Sequence, residues 1–100
     1  MGFLLNCTLR NMEYRSQRSG TSQKNGQPWL SLVLEDSDAN QIDVSVPVDL
    51  QSQVYALHLC KGDVVSIDVR AAATNDYSYV RATSCPVLVA DSDGVIGADY

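Results

Sequence analysis

One hundred residues, 45% hydrophobic and 19% charged, have the composition of one globular domain and exclude a disordered chain or a second core. The longest apolar run, Val87-Leu88-Val89-Ala90, has four residues and excludes a transmembrane helix. The net charge of −5 opposes a polyanionic partner, but the first thirty residues hold Arg10, Arg15, Arg18 and Lys24 against Glu13 alone, a local +3. The last ten hold Asp91, Asp93 and Asp99 with no base.

The N-terminus, Met1-Gly2-Phe3-Leu4-Leu5-Asn6, has no basic segment and too short an apolar stretch for a secretory signal, so a cytoplasmic chain is expected. Cys7, Cys60 and Cys85 are odd in number and widely spaced, as reduced thiols are. The apolar period is two almost throughout. Leu5, Cys7 and Leu9 alternate with polar residues and predict a first strand over 3–15 with those three facing the core. Residues 16–28, with Gly20, Gly26 and Pro28, read as a long polar loop. Leu30, Leu32 and Leu34 predict a strand over 29–35. Ile42, Val44, Val46 and Val48 predict another over 41–48, joined to it by a hairpin turn at 36–40.

The period then changes. Leu50, Val54 and Leu57 have helical spacing, Asp49 can cap the start and Lys61-Gly62 the stop, which predicts one helix over 50–60. Val65, Ile67 and Val69 place a fourth strand at 63–72, and Tyr77, Tyr79 and Arg81 open a fifth at 77–89, after a turn at Thr74-Asn75-Asp76. Residues 1–90 form the domain and 91–100 a short, acidic, flexible tail.

This all-β order, with one short helix between the third and fourth strands, is that of the OB-fold, a five-stranded Greek-key barrel; a meander packed on one helix has the same periodicity. The segments Cys7–Arg15, Gln27-Pro28-Trp29-Leu30-Ser31-Leu32-Val33-Leu34, Leu59-Cys60-Lys61-Gly62-Asp63-Val64-Val65-Ser66-Ile67 and Tyr77-Ser78-Tyr79-Val80-Arg81-Ala82 together resemble the bacterial single-stranded-DNA-binding proteins over about residues 5–90. The chain lacks that family's long Gly/Pro/Gln-rich linker and its terminal aspartate-isoleucine-proline-phenylalanine sequence, as a compact phage or mobile-element version would. The resemblance implies an OB barrel that binds single-stranded DNA, or RNA, in replication or recombination.

Such binding needs aromatic faces for bases and cations for phosphates. The outward strand positions offer Tyr14, Trp29, Tyr77 and Tyr79, interleaved with Arg10, Arg15, Arg70 and Arg81, while Arg15, Arg18 and Lys24 lie at or in the 16–28 loop. Trp29 is out of phase with the three leucines and belongs to the face opposite the core. Against these stand Asp43 and Asp68, outward carboxylates that would repel phosphate and that suit a protein-interaction module binding no nucleic acid. Nothing points to catalysis. His58 is the sole histidine and has no neighbouring acid, no Cys-x-x-Cys exists to hold zinc, and Asp36 and Asp38 lack the remaining ligands of a calcium loop. No cofactor or metal is expected. A barrel with so few cations gains from self-association, so a homo-oligomer is expected, and the tail residues Asp91, Asp93, Asp99 and Tyr100 are candidates for a protein partner.

Overall fold

Strand β1 (Phe3–Thr21) is 19 residues long and serves two partners in turn. Its first part pairs antiparallel with β4 (Val64–Ala73), from Phe3↔Ala73 to Glu13↔Val64. Its second part pairs antiparallel with β2 (Pro28–Glu35), from Glu13↔Glu35 to Thr21↔Pro28. β3 (Gln41–Val46) continues from β2, and β5 (Ser78–Ala82) joins β3 in parallel at Ser45↔Arg81 and β4 antiparallel from Val69↔Ala82 to Ala73↔Ser78. The circuit β1-β2-β3-β5-β4-β1 closes, with helix α1 (Val48–Ala56) between β3 and β4. This is the five-stranded OB barrel; the computed structural model describes residues 2–74, 78–91 and 94–95.

The core is the inward face of that circuit: Leu30, Leu32 and Leu34 of β2, Val44 and Val46 of β3, Val65, Ile67 and Val69 of β4, Ala82 of β5 and Val54 of α1. These are the alternating positions expected of β2 and β4 and, in β3, Val44 and Val46; Ile42 is only partly buried, and Val48, expected in that strand, opens α1 and is half-exposed.

β1 departs from its expected phase, and two bulges explain why. The β1–β4 register slips between Leu9 and Met12, where Asn11 takes φ 55, and the β1–β2 register slips between Tyr14 and Ser16. Each extra residue reverses the faces of the residues after it. Leu5, Cys7 and Leu9 share the face of Ala71, Val69 and Ile67, but after the first bulge the inward residues are Met12 and Tyr14. Tyr14, expected on the outside, is therefore a core residue with 6% exposure, and its hydroxyl donates to Gln17 Oε1 at 3.0 Å. Burial, reinforced by the charges of Cys60 and Asp63, raises its pKa. Leu5 and Cys7 keep the inward phase yet are exposed, in the stretch of β1 that pairs with β4 before β2 joins it at Glu13.

Three further boundaries differ. The loop at 16–28 is mostly strand, and only Ser22–Gln27 turns, closed by Ser22 N–H to Gln27 O (2.8 Å) and Gly26 N–H to Ser22 O (2.9 Å), with Gly26 at φ 70. The helix spans 48–56 rather than 50–60. Pro47 stands at its N-cap without a side-chain cap, Asp49 lies inside the first turn, and His58 at φ 50 ends the helical path. Asp63, rather than Lys61-Gly62 alone, fixes the following turn, its buried carboxylate accepting Cys60 N–H at 2.7 Å.

The strand expected over 77–89 is two strands, β5 and β6 (Val87–Asp91), separated by Thr83–Pro86. β1 occupies one edge of β4 along its length, so β5 and β6 share the other, β6 pairing from Ser66↔Val87 to Val64↔Ala90. Buried Pro86 has no N–H for the ladder, which accounts for the break. Asp91 closes β6 and pairs with Gly94 of β7 (Gly94–Val95). Asp93, Asp99 and Tyr100 lie outside the described residues. The fold predicts that Tyr14→Ala, removing a buried ring, lowers unfolding stability by about 3–5 kcal/mol in denaturant titration; an outward Tyr14 would cost less than about 1 kcal/mol.

Candidate nucleic-acid interface

The strand registers carry one row of residues around the outside of the barrel. Arg18 pairs with Ser31, Ser31 with Ser45, Ser45 with Arg81, Arg81 with Arg70, and Arg70 with Asn6. Directly paired residues project from the same face, so three guanidiniums lie along this row, with two serines between Arg18 and Arg81. The serines are short and leave a trough where longer side chains would fill it.

Each cation in the row has a defined neighbour. Arg18 Nη2 donates to Asp43 Oδ2 at 2.8 Å, both side chains remaining largely in solvent. The Arg81 guanidinium lies 5.1 Å from the centroid of the Tyr79 ring, a cation–π contact. Arg70 Nε–H donates to Asn6 Oδ1 at 3.2 Å. Asp43, expected to repel phosphate, instead partners the nearest guanidinium of β1. Asp68 lies further along β4, accepting from the Thr8 hydroxyl at 2.6 Å and the Ser84 hydroxyl at 3.3 Å.

Trp29 stands two residues from Ser31 on the same strand and face, paired with Gly20 of β1. A methyl group at Gly20 would fall 2.9 Å from Cζ2 and Nε1 of the indole, so the ring rests directly over the glycine. The Cζ2–Cε2–Nε1 edge of the indole thus lies against bare backbone, and the side chain keeps 44% exposure. Trp29, Ser31, Ser45, Pro47, Val48, Gln51 and Arg81 line a groove of about 410 Å³ between the barrel wall and the start of α1. Tyr79 borders a neighbouring groove of about 310 Å³ with Asp43, Ala72 and Ser78.

The structure therefore brings Arg18, Trp29, Tyr79 and Arg81 onto one continuous outer wall. The other sequence candidates lie elsewhere. Tyr14 is in the core. Arg15 sits at the second bulge, half-buried and ion-paired with Glu13, whose carboxylate raises the guanidinium pKa. Arg10 is exposed at the first bulge, on the part of β1 that pairs with β4. Lys24 is exposed in the Ser22–Gln27 turn, beyond the groove. Tyr77 lies outside the described residues. Among the groove residues, Ser31, Ser45, Val48 and Gln51 were not singled out from sequence. Gln51 left one signal there: a polar residue three positions before Val54, on the helical stripe that faces inward.

Two crystal forms of Rim1, a mitochondrial single-stranded DNA binding protein from S. cerevisiae, are similar to this chain in fold. One aligns with TM-score 0.65 and 14% identity over 87% of this chain and 95% of that one; the other has TM-score 0.66 and 14% identity over 89% and 99%. No protein-family model and no curated protein matches the sequence.

The contact between Trp29 and Gly20 can be tested directly. Gly20→Ala lifts the indole from its glycine seat, and the expected outcome is a red-shifted tryptophan emission with a stability change of about 1 kcal/mol or less, since the site is exposed. An unchanged spectrum would show that the ring does not rest there.

Proposed function

We propose that this chain is a sequence-tolerant single-stranded nucleic-acid-binding module, DNA being the expected ligand, and not an enzyme. The observation that carries the reading is the Trp29 indole, seated on Gly20, half-exposed, and sharing one groove with the Arg81 guanidinium. Such a surface offers what an unpaired nucleotide needs: a π-face for the base and a cation for its phosphate, without reference to base identity. The row of Arg18, Arg81 and Arg70 supplies further cations across the strands. The likeness in fold to a mitochondrial single-stranded DNA binding protein supports the same reading. A cytoplasmic role in DNA replication or recombination accords with it.

The proposal includes self-association. Between Leu4 and Arg10, β1 pairs with β4 alone among the described residues, which leaves its second edge open, and Leu4 and Leu5 beside it are exposed. An open strand edge with apolar neighbours is a site for another copy's strand. Light scattering at micromolar concentration should give a dimer or larger; a strict monomer removes this part of the proposal.

The central test is titration of labelled oligo-dT at rising ionic strength, following Trp29 emission. Binding should quench the single tryptophan and weaken as salt increases. Trp29→Ala should cost about 1–3 kcal/mol of binding while the protein unfolds near its normal midpoint. Asp43→Asn frees Arg18 from its ion pair and should raise affinity at low salt. Absence of binding even at low salt would instead favour a protein-interaction module, the reading that the net charge of −5 and the outward Asp43 and Asp68 support.

A further inference from the structure

At the helix side of the Trp29 groove, α1 contributes one polar residue, Gln51, with 6% exposure. Its Nε2 donates to two backbone carbonyls, Pro28 O and Val46 O, each at 3.1 Å. Two carbonyl acceptors fix the orientation of the carboxamide, because the opposite rotamer would set oxygen against oxygen. The amide is thereby clamped between the start of β2 and the end of β3, and its nitrogen has spent both protons. Its oxygen, a strong acceptor, accepts nothing from the described residues. Among those residues no side-chain polar atom is both fully buried and unpartnered, so Oε1 reaches open space, and the space that Gln51 lines is the groove.

We infer that Gln51 is a specificity-determining residue that selects unpaired bases, its Oε1 accepting a hydrogen bond from the Watson–Crick edge of the base held against Trp29. The inference rests on the nucleic-acid reading of this groove. The walls suit it: the indole on one side, Pro47 and the half-exposed Val48 at the start of α1, and Arg81 on the barrel wall. Every nucleobase has an N–H donor on its Watson–Crick edge, so one fixed acceptor tolerates all four. In a duplex those donors are engaged by the partner strand. A paired base, or a flat ring without an N–H, would cover Oε1 and leave it desolvated and unsatisfied. Sequence tolerance and rejection of duplex thus come from one oxygen.

The test changes the ligand and leaves the protein intact. A short oligo-dT is compared with an oligonucleotide of the same length in which 2,4-difluorotoluene replaces thymine, keeping its shape and stacking surface and removing its imino N–H. The full chain is titrated with each, following Trp29 emission and, in isotope-labelled protein, the chemical shift of Gln51 Cδ. The expected result is quenching by oligo-dT, binding of the analogue weaker by about fivefold or more, and a Gln51 Cδ shift that moves with oligo-dT alone. Equal affinities, or a Cδ shift that oligo-dT leaves in place, would overturn the role of Gln51 while quenching by both ligands kept the groove as a nucleic-acid site. Quenching by neither would overturn the nucleic-acid reading itself, and this inference with it.

Discussion

The barrel depends on one strand being shared by two partners. β1 must leave β4 and take up β2 within its own length, or the sheet stays open with the inward faces of β2 and β4 in water. A single flat strand cannot do this, because a closed barrel requires strong local bending and twist. The two bulges, at Asn11 and around Arg15, supply the bend. Asparagine is among the few non-glycine residues that enter the left-handed region at modest cost, and it stands at φ 55 in the first bulge. Between the bulges lie Met12 and Tyr14, the buried residues that β1 gives the core, with Leu9 packed against it before the first bulge. The backbone around Tyr14 is also tied to the turn before β4, its N–H donating to Asp63 O at 2.7 Å and its carbonyl accepting Gly62 N–H at 2.9 Å.

That constraint decides what could be read from sequence. β2, β3 and β4 were legible because their inward faces follow an unbroken period of two: Leu30, Leu32, Leu34; Val44, Val46; Val65, Ile67, Val69. The element order and the presence of one helix were legible for the same reason. β1 was not, since a bulge adds a residue without any mark in composition, and counting outward from Leu9 puts Tyr14 on the wrong face. Polar residues hid the second part of β1, because Ser16–Thr21 line a hairpin rather than a core and show no apolar period. At the other end, Val87 to Ala90 continue the apolar character of the last strand, which masks the interruption that Pro86 creates. The helix ended early for a backbone reason, the left-handed His58, which the helical spacing of Leu50, Val54 and Leu57 could not reveal.

The candidate site divides in the same way. Trp29 and Arg81 were accessible to phase counting, since each lies on a bulge-free strand opposite a buried neighbour, Leu30 and Ala82. What sequence could not supply was adjacency. Arg18, Ser31, Ser45, Arg81 and Arg70 come from separate strands, and only the registers set them in one row. Gly20 looked like a loop glycine and is the seat of the indole. Gln51 is a polar residue on a buried stripe, whose meaning depends on two carbonyls that strand ends bring to it.

The acidic balance of the chain bears on how such a wall would work. Arg15 is engaged by Glu13 and Arg18 by Asp43, so two of the seven basic side chains have a carboxylate at hand before any phosphate arrives. The two pairs are not equivalent. Arg15 and Glu13 are partly withdrawn from water at a bulge, whereas Arg18 and Asp43 are both largely exposed. Exposed ion pairs are worth about 0–1 kcal/mol, less than the roughly 1–3 kcal/mol of stacking one base on an aromatic ring. On the proposed reading, a phosphate brought near Arg18 by a base stacked on Trp29 would need little to displace Asp43, while the same phosphate without the stacked base would gain little by doing so. On this accounting the aromatic seat comes first and the cations second. Such an order would suit a protein of net charge −5, whose long-range field opposes the approach of a polyanion.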